Sequence, residues 1–187
     1  DTAAESNGGT RRNRIVVMEH GYHGDTVGAM SVGHRGVFNR PYDPLLFEVE
    51  TIPFPHAGAE ERTLEALATI CRAHEGRLAA LLVEPLVQGA GGMLMYGAAT
   101  LAALKRICEA NNLVFIADEV MTGWGRTGTV FACEQAGISP DILCTAKGIT
   151  GGALPLAATL CQPRFFDAHF GTDRARTFFH SSSYTAN

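Results

Sequence analysis

The stretch Leu113-Val-Phe-Ile-Ala-Asp118, followed further along by Asp141-Ile-Leu-Cys-Thr-Ala-Lys147, decides the fold. Each is a short apolar run that stops near a residue able to do chemistry and gives way to a glycine-rich turn. Strands that stay apolar without alternating are the mark of a parallel sheet buried on both faces. A lysine just past one such strand can project its amine into a cleft. An aspartate closing the neighbouring strand can reach the same space. In open α/β sheets ligands bind beyond the carboxyl ends of the strands, so Asp118 and Lys147 are candidates for a single site.

Working outward, Leu78-Ala-Ala-Leu-Leu-Val83 reads as another buried strand, closed by Glu84-Pro85 and the turn Gly89-Ala-Gly-Gly92. Arg14-Ile-Val-Val-Met-Glu19 reads likewise and ends at His20-Gly-Tyr-His-Gly24, and Leu156-Ala-Ala-Thr-Leu160 supplies a further strand. Leu64, Leu67, Ala68 and Cys71 recur at i, i+3, i+4 and i+7, which predicts an amphipathic helix over Glu60 to Ala73. A second helix carries Leu101, Leu104 and Cys108 on one face and stops at Asn111-Asn112. Asp25 or Thr26 can cap a short helix reaching Val32, and another short helix is predicted from Phe131 to Ala136. The stretch from Gly33 to Pro55 holds four prolines and reads as an irregular loop around a short strand, Phe47 to Ile52. Strands alternating with helices predict an α/β fold: a mostly parallel central sheet with helices on both faces.

The chain has 187 residues, of which 46% are hydrophobic, enough for one sizeable core. A net charge of -4 and a pI near 6.0 give no reason to expect nucleic acid or an anionic membrane as partner. The sequence contains no apolar run of bilayer length. Five cysteines form no C-x-x-C pair, as in a reducing, cytoplasmic setting. Asp1 is not a methionine and the polar run to Asn187 closes no helix, so the chain is expected to be an internal piece of a larger protein.

A strand-end lysine and a strand-end aspartate in neighbouring α/β units suggest pyridoxal 5'-phosphate (PLP) chemistry. The lysine amine forms a Schiff base, and the aspartate keeps the pyridine nitrogen protonated so that the ring draws electrons. A buried lysine near a cation keeps its amine free for attack and proton transfer. The site so read contains no metal. One motif points elsewhere: Gly123-Trp-Gly-Arg-Thr-Gly128 fits the dinucleotide fingerprint G-x-G-x-x-G. That fingerprint must open a helix directly after its strand. Here Asp118 to Thr122 intervene and Thr127-Gly-Thr-Val begins no helix, which argues against it.

Four runs together are more specific: Gly21-Tyr-His-Gly-Asp-Thr26, Glu84-Pro-Leu-Val-Gln-Gly-Ala-Gly-Gly92, Ala117-Asp-Glu-Val-Met-Thr-Gly-Trp-Gly-Arg-Thr-Gly128 and Ala146-Lys-Gly148. In order and spacing the chain resembles the class III aminotransferases of PLP fold type I over essentially its whole length. Within that family the likeness is strongest to the members of biotin synthesis. The turn leading to Met95-Tyr96, and Phe131-Ala-Cys-Glu-Gln with Pro140-Asp-Ile-Leu-Cys144, carry that narrower match.

The resemblance implies roles residue by residue. Lys147 would form the Schiff base and then shuttle the proton, and Asp118 would pair with the pyridine nitrogen. Tyr22 would lie over one ring face and border the substrate, Val120 would pack on the other face, and Glu84 would be an acidic neighbour. His23 is expected to be a structural partner in its turn rather than a base. Arg126 matches a position that shapes the substrate pocket, where its guanidinium would either meet a carboxylate or help organise the pocket. In His180-Ser-Ser-Ser-Tyr-Thr-Ala-Asn187, Ser183 would supply a phosphate-binding hydroxyl, Ser182 a cofactor contact and Ser181 a substrate contact. That segment reaches the neighbouring subunit in the family, implying a homodimer with composite sites.

Asn7-Gly-Gly-Thr10 is a polar linker and not the family's phosphate loop. By the resemblance, the aromatic residues that line the substrate pocket near the start, and the C-terminal small domain with its carboxylate-gripping arginine, are expected to lie outside residues 1–187. Residues 1–187 are therefore expected to be the central part of the PLP-binding large domain. The implied reaction moves an amino group from S-adenosylmethionine to 8-amino-7-oxononanoate, with a small-molecule amino donor and keto acceptor as the partners. The rival readings are another class III enzyme, such as an ω-amino acid:pyruvate aminotransferase, and a non-catalytic fragment of such an enzyme.

Overall fold

A computed structural model describes residues 12–179. Six strands form one sheet in the order β2-β1-β3-β6-β7-β8. They are β1 (Arg14–Met18), β2 (Glu50–Ile52), β3 (Leu78–Val83), β6 (Val114–Asp118), β7 (Ile142–Thr145) and β8 (Ala158–Cys161). All neighbours run parallel except β7 and β8, which are antiparallel. Val17 pairs with Leu82, Leu82 with Ile116 and Ile116 with Ile142, so one register row crosses four strands. The expected mostly parallel α/β sheet is thus observed.

Helices α2 (Glu60–Ala73) and α3 (Ala98–Ala110) pack side by side on one face. Leu67 and Cys71 of α2 and Leu101, Leu104 and Cys108 of α3 meet Val16, Leu81, Val83, Phe115 and Ala117 of the strands in one core. Phe115, Leu67, Leu81, Leu101 and Leu104 expose nothing. Each such side chain contributes about 2 kcal/mol by leaving water. Glu60 and Glu61 in the first turn of α2 and Arg72 in its last complement the helix dipole. The opposite face is covered more thinly: Leu82, Ile116, Ile142 and Cys144 are half-buried. Asp118 belongs to that second face, two residues beyond Ile116 on β6.

Several boundaries differ from expectation for identifiable reasons. The helix predicted to end at Val32 is α1 (Val27–Ser31), and Thr26 is its cap, with Oγ1 accepting from Ala29 N at 3.4 Å. The short strand is confined to Glu50–Ile52 because pairing starts only at Val16–Glu50 and stops before Pro53. The loop ahead of it contains a 3-10 helix, Arg40–Leu45. The glycine-rich turn after Glu84 joins a small antiparallel hairpin, β4 (Val87–Gln88) and β5 (Leu94–Met95), too short to leave a periodic signal. β7 starts at Ile142, one residue later than expected, and the Asp141 side chain just before it accepts from Phe115 N at 2.8 Å and Lys105 Nζ at 3.0 Å. β8 is followed by α4 (Pro163–His169). Among the described residues no helix is long and apolar enough to cross a membrane.

Candidate active site

Four loops leave the carboxyl edge of the sheet and build the site. Asp118, the last residue of β6, is 7% exposed. Its Oδ2 lies 2.7 Å from His23 Nδ1, and its Oδ1 accepts from Val120 N at 3.1 Å. The carboxylate is therefore gripped on both oxygens and cannot rotate freely.

Lys147 opens a single 3-10 turn after β7, with φ at 42°. A residue with a Cβ is strained there by about 1–3 kcal/mol, and such strain gathers at functional sites. The turn is bracketed by Trp124, whose indole N–H donates to Thr145 Oγ1 at 2.6 Å. Gly148 leaves no room between turn and indole: a Cβ there would fall 2.6 Å from Trp124 Cβ. Against expectation, Lys147 is exposed and not buried, although it lines two adjoining hollows.

Glu84 ties two turns together. Its Oε1 accepts from Tyr22 N and its Oε2 from Gly89 N, each at 3.0 Å, while Tyr96 donates to its backbone oxygen at 2.9 Å. Burial pushes the Glu84 carboxyl up, an effect that the two N–H groups temper. The Tyr22 hydroxyl donates to Asp25 Oδ2 at 3.0 Å. That bond, reinforced by partial burial and the charge of Asp25, raises the phenol above its ordinary value.

Tyr22, Glu84, Asp118, Val120 and Lys147 line one hollow of about 280 Å³. It shares Val120, Met121 and Lys147 with a second of about 480 Å³ that adds Trp124 and Arg126. It shares Tyr22, Gly24 and Ala90 with a third of about 560 Å³ that reaches His34 and Phe38. Five of the sequence-predicted residues thus gather on one hollow and Arg126 stands on its neighbour. Ser181, Ser182 and Ser183 lie outside the described residues. A hollow of about 600 Å³ near Lys105, Asp141 and Arg164 opens where β6 and β7 begin, at the far end of these strands from Lys147. There Asp141 is bound to both Lys105 and Arg164.

Sequence reasoning missed three organisers. The contact of His23 with Asp118 joins positions far apart in the chain and leaves no local signal. Trp124 entered only as a member of quoted runs, with no role of its own; the dinucleotide-like run forms successive turns here and opens no helix. Glu119, fully buried, accepts from Thr122 Oγ1, Ala132 N and Cys133 N, all at 2.8 Å, and so folds the loop that carries Trp124. An acid directly after Asp118 in a strand-end pair was its only mark. Among the described residues no cluster of His, Cys, Asp and Glu is arranged to hold a metal ion.

A parallel sheet that brings an amine and an anchored carboxylate to one hollow at its carboxyl edge defines a scaffold suited to carbonyl–amine chemistry. The chain belongs to the class III aminotransferase family, whose profile, described as Aminotransferase class-III, matches residues 2–187. It is 47% identical over 182 residues to the adenosylmethionine-8-amino-7-oxononanoate aminotransferase of Synechococcus elongatus, covering 94% of this chain and 43% of that protein. The crystal structure of the same-named protein of Methanocaldococcus jannaschii superposes with a TM-score of 0.88 at 34% identity, over 97% of this chain and 42% of that one. An amine transaminase from an uncultivated Pseudomonas species, solved in its PLP-bound form, gives a TM-score of 0.86 at 33% identity, over 98% of this chain and 43% of that one. The chain therefore spans less than half the length of these relatives.

Proposed function

We propose that this chain forms the floor of the active site of a PLP-dependent aminotransferase. The full protein would move the amino group of S-adenosylmethionine to 8-amino-7-oxononanoate, giving 7,8-diaminononanoate for biotin synthesis. The observation that carries the class is the meeting of Lys147 and Asp118 on one hollow, lined also by Tyr22 and Val120. The substrates rest on the name shared by the curated relatives. In this reading residues 1–187 are the central part of the large, PLP-binding domain of a cytoplasmic homodimer. Ser181, Ser182 and Ser183 then serve a composite site with the second subunit.

The donor set fits PLP. Lys147 offers a primary amine for its carbonyl, and Asp118 a fixed anion for its ring nitrogen. Tyr22 and Val120 offer an aromatic and a branched aliphatic surface for its two faces. When bound, PLP supplies an electron sink for the carbon that carries the migrating amine. Lys147 Nζ would be the base that takes the proton from that carbon and the acid that gives it back. Asp118, its carboxylate held by His23 and Val120 N, would hold a proton on the ring nitrogen. Glu84 keeps the turns bearing Tyr22 and Gly89 in place, and Arg126 on the adjoining hollow can receive a substrate carboxylate.

The test is the visible spectrum of the purified protein with PLP, beside Lys147→Ala. A Schiff-base band in the parent that is missing from the variant supports the reading; two spectra that match free PLP sink it. The likeness to an amine transaminase favours a second reading, a class III enzyme with an ordinary amino acid or amine donor. Bleaching of the band by S-adenosylmethionine but not by alanine or a simple primary amine selects the first, and the reverse selects the second.

A further inference from the structure

His23 and Asp118 are 95 positions apart in sequence, yet their side chains meet at 2.7 Å with only 5% and 10% of their surfaces exposed. A carboxylate only accepts, so Nδ1 is the ring nitrogen that carries the proton toward Oδ2. The length is that of a charge-assisted bond. With Val120 N on the other oxygen, His23 supplies the second of two restraints that set the plane of the carboxylate.

The chain spends several features on keeping the imidazole there. Gly21 N donates to Met18 O at 3.2 Å, and His34 N donates to Gly21 O at 2.7 Å, pinning the turn on both sides. A Cβ on residue 21 would stand 3.1 Å from both His23 Nε2 and Met18 O, so only glycine lets the ring fold back toward Asp118 without a shift. Glu84 holds the next residue, Tyr22, through its backbone N–H. Glycine, glutamate and histidine thus act as one support beneath the acid.

We propose that His23 is a positioning residue for Asp118, whose imidazole fixes the carboxylate in the orientation needed to meet the cofactor's ring nitrogen. The proposal rests on the PLP reading above. It goes beyond a structural partner within the turn, because its consequence falls on the chemical step and not on folding.

The experiment compares the full-length, PLP-loaded protein with His23→Leu, His23→Asn, Asp118→Asn and the double variant His23→Leu/Asp118→Asn. All the His23 single variants keep Lys147, so all retain the Schiff-base band. His23→Leu lowers kcat by about ten- to a hundred-fold, the worth of one hydrogen bond to a charged group, with the donor KM within about twofold. His23→Asn, whose amide N–H can stand where Nδ1–H stood, recovers most of that loss. In the Asp118→Asn background the substitution of His23 has little further effect. A His23→Leu protein with kcat within about twofold of the parent, an asparagine no better than the leucine, or additive losses in the double variant would each overturn the proposal. Should His23→Leu fail to fold, His23→Asn against His23→Gln decides: glutamine carries its amide too far from the backbone, so equal activity of the two overturns it. A parent protein without the band overturns the PLP reading and this proposal together. A banded parent indifferent to His23 overturns only this proposal.

Discussion

Trp124 and Gly148 are in direct apposition: the turn that carries Lys147 lies so close to the indole that residue 148 has no space for a Cβ. The indole also reaches down to Thr145 Oγ1, the last residue of β7, at 2.6 Å. One side chain therefore meets both ends of the segment that delivers the amine, in which Lys147 has a positive φ.

Gly148→Ala tests this directly. The added methyl would meet Trp124 Cβ, which sits next to the backbone and cannot swing aside. Overpacking of this kind costs about 1–3 kcal/mol. The thermal midpoint should fall by several degrees, and the fraction of protein carrying the PLP Schiff base at limiting PLP should fall with it. An alanine variant unchanged in both would show that Trp124 does not set the lysine turn.

Glu119→Gln should destabilise the loop on the other side of the hollow. The native carboxylate accepts three hydrogen bonds in a place with no exposure. An amide would turn an NH₂ toward at least one of the N–H donors of Ala132 or Cys133, leaving a buried donor unpaired. The expected loss is about 1–3 kcal/mol, read from the denaturant midpoint. A stability equal to the parent's would mean that the loop repacks at no cost.

The legible part of this fold is the part with local or periodic cause. The strands around Leu81, Phe115 and Leu143 and the helices around Leu67 and Leu104 follow from apolar runs and 3.6-residue spacing, and each is observed within a residue or two. Lys147, Asp118 and Glu84 stand out in the sequence because each lies at or just past a strand end, whereas Tyr22 and Val120 entered only through the family resemblance; the structure lines one hollow with all five. Other features were not. The hairpin of Val87–Gln88 with Leu94–Met95 is two residues deep on each side, below any pattern. The His23–Asp118 and Trp124–Thr145 bonds depend on which loops meet above the sheet, which no window of sequence contains. The exposure of Lys147 is not legible in its own run, because it depends on which distant loops cover the strand end.

Thiol chemistry offers an independent check on burial. Cys71, Cys108 and Cys133 are buried, and burial pushes each thiol up; Cys144 is half-buried and is pushed up by burial and then by the nearby charge of Asp118. Only Cys161, on β8, is exposed. Since the thiolate is the reacting species, an aromatic disulfide reagent at neutral pH should label Cys161 quickly and the other four cysteines only on unfolding. Cys161→Ser should remove the fast phase. Rapid labelling of Cys108 in the native protein would contradict the core described here.

Acid should loosen the far end of the sheet through Asp141. Burial alone pushes this carboxyl up, but the N–H of Phe115, the ammonium of Lys105 and the guanidinium of Arg164 outweigh it and hold it below its ordinary value. An acid whose folded value is depressed binds its proton more readily in the unfolded chain. Its contribution is therefore complete above the unfolded value of about 3.9 and is lost as the pH falls through the lower folded one. Asp141→Asn should flatten the stability profile below about pH 4. At neutral pH it should also cost about 3–5 kcal/mol, because Lys105, only 7% exposed, loses its closest counter-ion while Glu109 at 3.4 Å stays on the rim. Replacing both partners, as Lys105→Met with Asp141→Leu, should recover part of that loss, since no charge is then left buried and unpaired. Urea melts of the parent, the single variant and the pair between pH 3 and pH 7 would decide it. A double variant as unstable as Asp141→Asn would show that the hydrogen bond from Phe115, and not the ion pair, is what Asp141 contributes.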